Sequence, residues 1–404
     1  MVLLKSALSK ISNFIASLST TMHHRGSLST ATKSVDPSTI VPHLSPLNPE
    51  DDLMRAMNRN IPISVQHYIR DKGVMRFLAD NSAAMAAASL GASKPSLLYR
   101  FVDAGRYMKS FKYGDIAGQN CQVYNFQGEQ SSTGTAMTPA SKVLILIHGG
   151  AWGSGKPWMY RLMACGMAKS LNAGAAIVVQ YPLFPECVIS QQADSVYQAV
   201  RFIRWNAQKL GLQEGADYIL AGHSSGANIC ALALLQSVEK EEKLVDSFLG
   251  LSGVYDIEKH YAYENSRGAH EFSPMSVAAI SPSRWWEFSP TLLMPRMTKE
   301  KISAHWPQTL LVHGVVDTTV PYSSSQEFAE QLLHQGAPVI TSYPLTTGHA
   351  DCIFEFTNPE PGTLGAIVNQ FYAAINGKET DGKLDQKDFD SKNTEHKLKL
   401  KCKL

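Results

Sequence analysis

The stretch Tyr218-Ile219-Leu220-Ala221-Gly222-His223-Ser224-Ser225-Gly226-Ala227-Asn228 decides how the rest of the chain reads. An apolar run, YILA, ends in G-H-S-S-G, and an alanine- and leucine-rich helical pattern (ANICALALLQSV) follows at once. That is a strand, a turn bearing a serine, and a helix, the setting in which G-x-S-x-G forms a nucleophile elbow. A serine at a strand tip takes strained backbone angles, so its neighbours two positions away must be small. Gly222 and Gly226 stand there. Ser224 would then rise above the sheet at a helix N-terminus, whose free N–H groups favour developing negative charge. A glycine- and serine-rich turn without chemistry would show the same five residues, so the surrounding chain has to decide.

Outward from the elbow, short buried runs alternate with helical patterns. VLILIH (from Val143) is the kind of continuous apolar run found in parallel strands covered on both faces. A helical stretch (YRLMACGMAKSLNA), a strand (GAAIVVQYP) and a second helix (SQQADSVYQAVRFIRWNAQKLG) lead into the elbow strand. Beyond the elbow helix come SFLGLSG, an insertion, TLLVHG, a helix in SSSQEFAEQLLHQG, the strand PVITSYP and a closing helix in GTLGAIVNQFYAAIN. The expected fold class is α/β, a mostly parallel sheet with helices on both faces. Ahead of it, residues 106–126 read as a hairpin, and GEQSSTGTAMTPAS as a loop.

A serine needs a base, and the base an orienting carboxylate. In α/β-hydrolases these follow in the order serine, acid, histidine. Asp317 lies just beyond TLLVHG, and His349 lies in the loop after PVITSYP, so both fall on the same sheet edge as Ser224. Alone, Asp317 reads as a turn residue and His349 as a surface histidine; the joint order makes them the expected catalytic acid and base. Asp256 and Asp351 are rival acids, and Asp351 is too close in sequence to His349 to orient it. For the oxyanion, His148-Gly149-Gly150-Ala151 follows the first core strand as an H-G-G-x loop, and the expected donors are the N–H groups of Gly150, Ala151 and Ser225. The same loop matches G-x-x-x-x-G-K from Gly150 to Lys156. Pro157 stands where a phosphate-binding loop needs a hydroxyl, so a nucleotide site is not expected.

Between SFLGLSG and TLLVHG the insertion, 254–307, is about fifty residues long and rich in aromatics. It reads as a lid, with Trp285 and Trp286, and Trp152 from the H-G-G loop, as candidate walls of an apolar substrate pocket.

Composition bounds the reading. The chain has 404 residues, 44% hydrophobic and 18% charged, with a net charge of +2, which gives no electrostatic reason to expect nucleic acid. Its six cysteines (Cys121, Cys165, Cys187, Cys230, Cys352, Cys402) show neither a C-x-x-C pair nor zinc spacing; neither a metal nor an organic cofactor is expected. No run approaches 18 apolar residues, so no membrane span is expected, and oligomeric state is left open. Residues 1–35 lack acidic residues and place Leu4, Leu8, Ile11 and Ile15 on one helical face, the composition of an organelle transit peptide. Residues 36–105 read as a proline-rich linker and a helical prelude, 106–376 as the catalytic domain and 377–404 as a charged, disordered tail. That tail ends Cys402-Lys403-Leu404, close to the S-K-L peroxisomal address, so the two ends point to different organelles.

Taken together, HGGAW, GHSSGAN, GLSGVYDI, EFSP, LLVHGVVDTTVP and GHAD fall in the order found in α/β-hydrolase esterases similar to isoprenylcysteine α-carbonyl methylesterases. The resemblance covers about residues 107–375 and implies Ser224, Asp317 and His349 as a triad and prenylcysteine methyl esters as substrates. It departs from the family in YPLFPE, which lacks the usual arginine after tyrosine, and in showing no membrane spans before the core. Kynurenine formamidases are also similar and would cleave a formamide by the same mechanism. The expected activity is a serine carboxylic-ester hydrolase acting on a small-molecule ester; formamide hydrolysis and a non-catalytic ligand-binding module on this fold are the alternatives.

Overall fold

The computed structural model describes residues 104–105, 108–126, 140–266, 270, 273–343, 347–357 and 364–369. The expected transit segment, linker, charged tail and C-terminal tripeptide lie outside these residues, as does nearly all of the helical prelude.

The centre is an eight-stranded sheet in the order β1-β2-β4-β3-β5-β6-β7-β8. β1 (Met108–Lys112) and β2 (Asn120–Asn125) form the expected antiparallel hairpin, and β2 also runs antiparallel to β4 (Ala175–Gln180). From β4 onward every pairing is parallel, through β3 (Ala140–Ile147), β5 (Leu212–His223), β6 (Ser247–Leu251), β7 (Gln308–Val312) and β8 (Val339–Ser342).

Alternation along a strand sends successive side chains to opposite faces, and both faces here are dry. Val143, Ile145 and Ile147 of β3 join one apolar cluster, with Ile177, Val179, Leu220, Phe248 and Leu311. Leu144 and Leu146 join the other, with Val178, Ile219, Ala221, Leu249 and Leu310. This is why VLILI shows no polar alternation: each side chain is fully buried and contributes on the order of 1.5–3 kcal/mol.

Helices α1 (Arg161–Ser170), α2 (Ile189–Trp205) and α3 (Ser225–Glu239) cover the sheet. α2 turns Ala193, Val196, Val200 and Ile203 inward at helical spacing, whereas α3 is buried nearly all round. α3 is covered on its far side by the insertion, which is helical rather than an open loop. It comprises α4 (Ile257–Ser266), short turns between 275 and 296, and α5 (Lys299–His305). Helix α6 (Ser323–His334) follows β7.

Two boundaries differ from the sequence reading. β3 begins at Ala140, within the segment read as a loop, and β5 begins at Leu212, well before YILA. Ala140 pairs with Leu212 across a register shift, and the exposed residues 213–215 separate buried Leu212 from the apolar run that follows. A further helix, α7 (Asp351–Thr357), opens directly after His349, where no helix was expected. It packs on α1 so closely that a Cβ on Gly166 would strike the Phe356 carbonyl. Of the expected closing helix, residues 364–369 are described and helical.

Candidate active site

Because β5, β7 and β8 are parallel, the residues following them emerge on one edge of the sheet. Ser224 follows β5, Asp317 lies in the loop after β7, and His349 lies in the loop after β8. The fold brings all three together. His349 Nε2 is 3.0 Å from Ser224 Oγ, and His349 Nδ1 is 2.8 Å from Asp317 Oδ2.

Ser224 has φ 57° and ψ −127°, a region that costs a non-glycine residue on the order of 1–3 kcal/mol. Its N–H is held by the Leu251 carbonyl at 2.9 Å, and its own carbonyl accepts from Ala227 N at 3.0 Å. The flanking glycines are sterically required. A Cβ on Gly222 would come within 2.7 Å of Ala227 Cα, and one on Gly226 within 2.5 Å of the carbonyl oxygens of Ile147 and His148.

Asp317 is fully shielded. Burial pushes its carboxyl up, but hydrogen bonds from His313 and His349, with the Val320 N–H, outweigh this and hold it well below the usual carboxylate range. Its Oδ1 accepts from the N–H groups of Thr319 and Val320 at 2.8 and 2.9 Å. The rival acids serve local structure instead: Asp256 Oδ1 accepts from Lys259 N at the start of α4, and Asp351 Oδ2 from Gly348 N in the loop before α7.

The H-G-G-A loop lies against the elbow, close enough that a Cβ on Gly149 would come within 2.9 Å of Ser224 Cβ. Gly150, Ala151 and Trp152 all have positive φ (135°, 49° and 61°). The loop is locked by Ser154, whose N and Oγ donate to the Gly150 carbonyl at 2.9 and 2.7 Å. Among the described residues, the N–H groups of Gly150, Ala151 and Ser225 donate to no protein acceptor, so they remain available to a ligand oxygen.

The three tryptophans expected around a substrate occupy different settings. Trp152 is 1% exposed and its indole N–H donates to Asn228 Oδ1 at 3.2 Å; it supports the loop from within the core. Trp285 is buried against Tyr261, their ring centroids 4.8 Å apart. Trp286 lies at the surface beneath the Arg296 guanidinium, 3.8 Å from the ring centroid.

Four residues with structural roles here were not singled out from the sequence: Tyr160, His223, Asn228 and His313. His223 occupies the variable position of G-x-S-x-G, and its type alone was the available signal. Among the described residues, no three His, Cys, Asp or Glu side chains gather as a metal site, and no helix is long and apolar enough to cross a membrane.

A family model described as BD-FAE matches residues 133–332, from before β3 into α6. The chain is 27% identical over 296 residues to a probable isoprenylcysteine α-carbonyl methylesterase of Oryza sativa, covering 70% of this chain and 67% of that protein. It is 25% identical over 294 residues to the corresponding Arabidopsis thaliana methylesterase, covering 70% of this chain and 65% of that protein. The chain has the α/β-hydrolase fold. It spans about two thirds of the length of these curated relatives. Among solved structures, esterase LipW of Mycobacterium marinum superposes with a TM-score of 0.55 at 20% identity, covering 81% of this chain and 95% of that one.

Proposed function

We propose that this α/β-hydrolase is a serine carboxylesterase that cleaves small apolar esters through a covalent acyl-enzyme. The observation that carries the reading is the unbroken row Ser224 Oγ, His349 imidazole and Asp317 carboxylate, hydrogen-bonded at 3.0 and 2.8 Å and ending on a strained serine. His349 Nε2 takes the Ser224 proton as Oγ attacks the ester carbonyl. Asp317 holds the Nδ1–H tautomer and stabilises the imidazolium. The developing oxyanion accepts from Gly150, Ala151 and Ser225 N–H, each worth about 3 kcal/mol in the transition state. The alkoxide leaving group takes the proton back from His349. Water, deprotonated by the same imidazole, then releases the acid. No step calls on a metal or an organic cofactor.

The similarity to isoprenylcysteine α-carbonyl methylesterases supports a methyl ester with an apolar acyl part as substrate. The aromatic insertion supports a lid role: a Cβ on Gly153 would lie within 2.8 Å of Pro274 Cγ, so the insertion reaches the oxyanion loop.

The test is fluorophosphonate labelling of wild type and Ser224→Ala followed by intact mass, then turnover of prenylcysteine methyl ester, short acyl esters and N-formylkynurenine. One adduct on wild type and none on the variant, with ester turnover, supports the reading. A folded, unlabelled wild type overturns it in favour of a ligand-binding module, and preferred turnover of the formamide redirects it to amide hydrolysis.

A further inference from the structure

His223 sits between the two halves of the site, and its hydrogen bonds leave one protonation pattern. Its Nε2 is 2.9 Å from the backbone carbonyl of His349, which can only accept, so Nε2 carries the proton. A neutral imidazole then has a bare Nδ1, and that atom faces Tyr160 Oη at 2.9 Å. The tyrosine therefore donates to His223, leaving its lone pairs to accept from Gly149 N at 3.1 Å. A one-directional chain runs from Gly149 N–H through Tyr160 O–H and His223 Nε2–H to the His349 carbonyl. Tyr160 and His223 are both buried. The His223 and His349 rings also lie 4.8 Å apart, centroid to centroid, at 46°.

This chain joins three segments far apart in sequence: the H-G-G-A loop, the elbow and the loop that carries His349. The last of these follows a four-residue strand at the end of the sheet order, and its described residues 347–350 form no strand or helix before α7. Among the described residues it is tied to the elbow by the Ser224 contact, which must break and reform during turnover, and by the His223 bond, which need not.

We propose that His223 is a positioning residue: bonded directly to the His349 carbonyl and, through Tyr160, to the oxyanion loop, it sets the main chain of His349, and so the aim of His349 Nε2 at Ser224 Oγ. The proposal rests on the esterase reading above and deepens it. His223 touches no reacting atom. It acts on the geometry of a proton transfer, where misplacement by about 1 Å can cost on the order of 100-fold in rate.

The experiment measures the second-order fluorophosphonate labelling rate, and kcat and KM on a p-nitrophenyl ester. The proteins are wild type, His223→Leu, His223→Gln, Tyr160→Phe and the Tyr160→Phe/His223→Leu double variant, each checked for cooperative thermal unfolding. We expect His223→Leu to lower both labelling and kcat by about 30-fold with KM within about threefold, since transition-state geometry rather than binding is lost. His223→Gln, which keeps an N–H donor, recovers most of that loss. Tyr160→Phe costs about fivefold to tenfold, and the double variant is no slower than His223→Leu, because the two act as one chain. A folded His223→Leu that labels at the wild-type rate overturns the proposal. If that variant does not fold, wild-type kinetics in Tyr160→Phe overturn it equally. An unlabelled wild type would instead remove the esterase reading itself, and this inference with it.

Discussion

Asp317 Oδ2 lies 3.2 Å from Nε2 of the fully buried His313, and the same oxygen accepts from His349. His313 also faces Ser325 Oγ through Nδ1 at 2.7 Å and the Val320 carbonyl through Nε2 at 3.0 Å. The acid loop is thus anchored to α6 from beneath while the candidate base approaches from above. His313→Ala would leave buried groups unpaired and should cost about 1–3 kcal/mol in urea unfolding. It should lower kcat several-fold through a less firmly held Asp317. Unchanged stability together with unchanged kcat would show that the backbone donors of Thr319 and Val320 suffice.

The Asp317 carboxyl is also a stability term. Its folded pKa is depressed, so its contribution is fully present above the unfolded value of about 3.9 and is lost as pH falls from there toward the folded value. Asp317→Asn should therefore flatten the acid limb of a stability–pH curve below about pH 4. The melting temperatures of wild type and variant should converge as pH drops.

Two buried histidines act at a higher pH. Burial, reinforced by His349, pushes His223 down to about 3, and burial pushes His148 down to about 4 despite its bond to the Gly149 carbonyl. In the unfolded chain both protonate near 6.5, so the unfolded state binds more protons between there and the folded values. Stability should fall as pH drops through that window, by up to about 1.4 kcal/mol per pH unit for each histidine. His223→Gln should remove about one proton's worth of slope, read from urea unfolding at pH 7, 6 and 5.

Asn228 is a cross-brace with both ends of its amide engaged. Its Oδ1 accepts from the Trp152 indole, and its Nδ2 donates to the Phe288 carbonyl of the insertion at 2.9 Å. Asn228→Ala would orphan a buried donor and a buried acceptor, a cost of about 2–4 kcal/mol in unfolding free energy. Because it links the oxyanion loop to the insertion, KM for a bulky apolar ester should rise more than KM for an acetate ester. An equal change for both would deny the insertion a role in substrate selection.

Gly226→Ala tests the contact between elbow and oxyanion loop. Two carbonyl oxygens lie 2.5 Å from the position of the new methyl group, and both belong to backbone. Relief requires moving α3 away from the end of β3, so loss of several kcal/mol or of soluble protein is expected. Wild-type stability would mean that the loop can yield.

The order of strands and helices, the elbow and the three residues Ser224, Asp317 and His349 were legible in the sequence, because each rests on local chemistry. Continuous apolar runs mark strands dry on both faces, glycines flank the one residue that needs room, and parallel strands deliver the residues beyond their ends to a common edge. The strand starts at Ala140 and Leu212 were not legible, since exposed residues 213–215 interrupt the apolar run and the pairing of the two ends spans a register shift. Helix α7 was missed because it is one seven-residue stretch directly after the histidine loop, held by its packing on α1. Trp152 and Trp285 were read as pocket walls from residue type, yet type cannot distinguish a ring facing a ligand from one packed in the core. Tyr160, His223, Asn228 and His313 were invisible for a different reason. Their partners lie as far as 126 positions away, and a hydrogen bond across such a distance exists only once the sheet has brought both ends together. Local sequence thus determined most of the elements and the candidate catalytic residues, while the folded chain alone decided which buried polar atoms hold those residues in line.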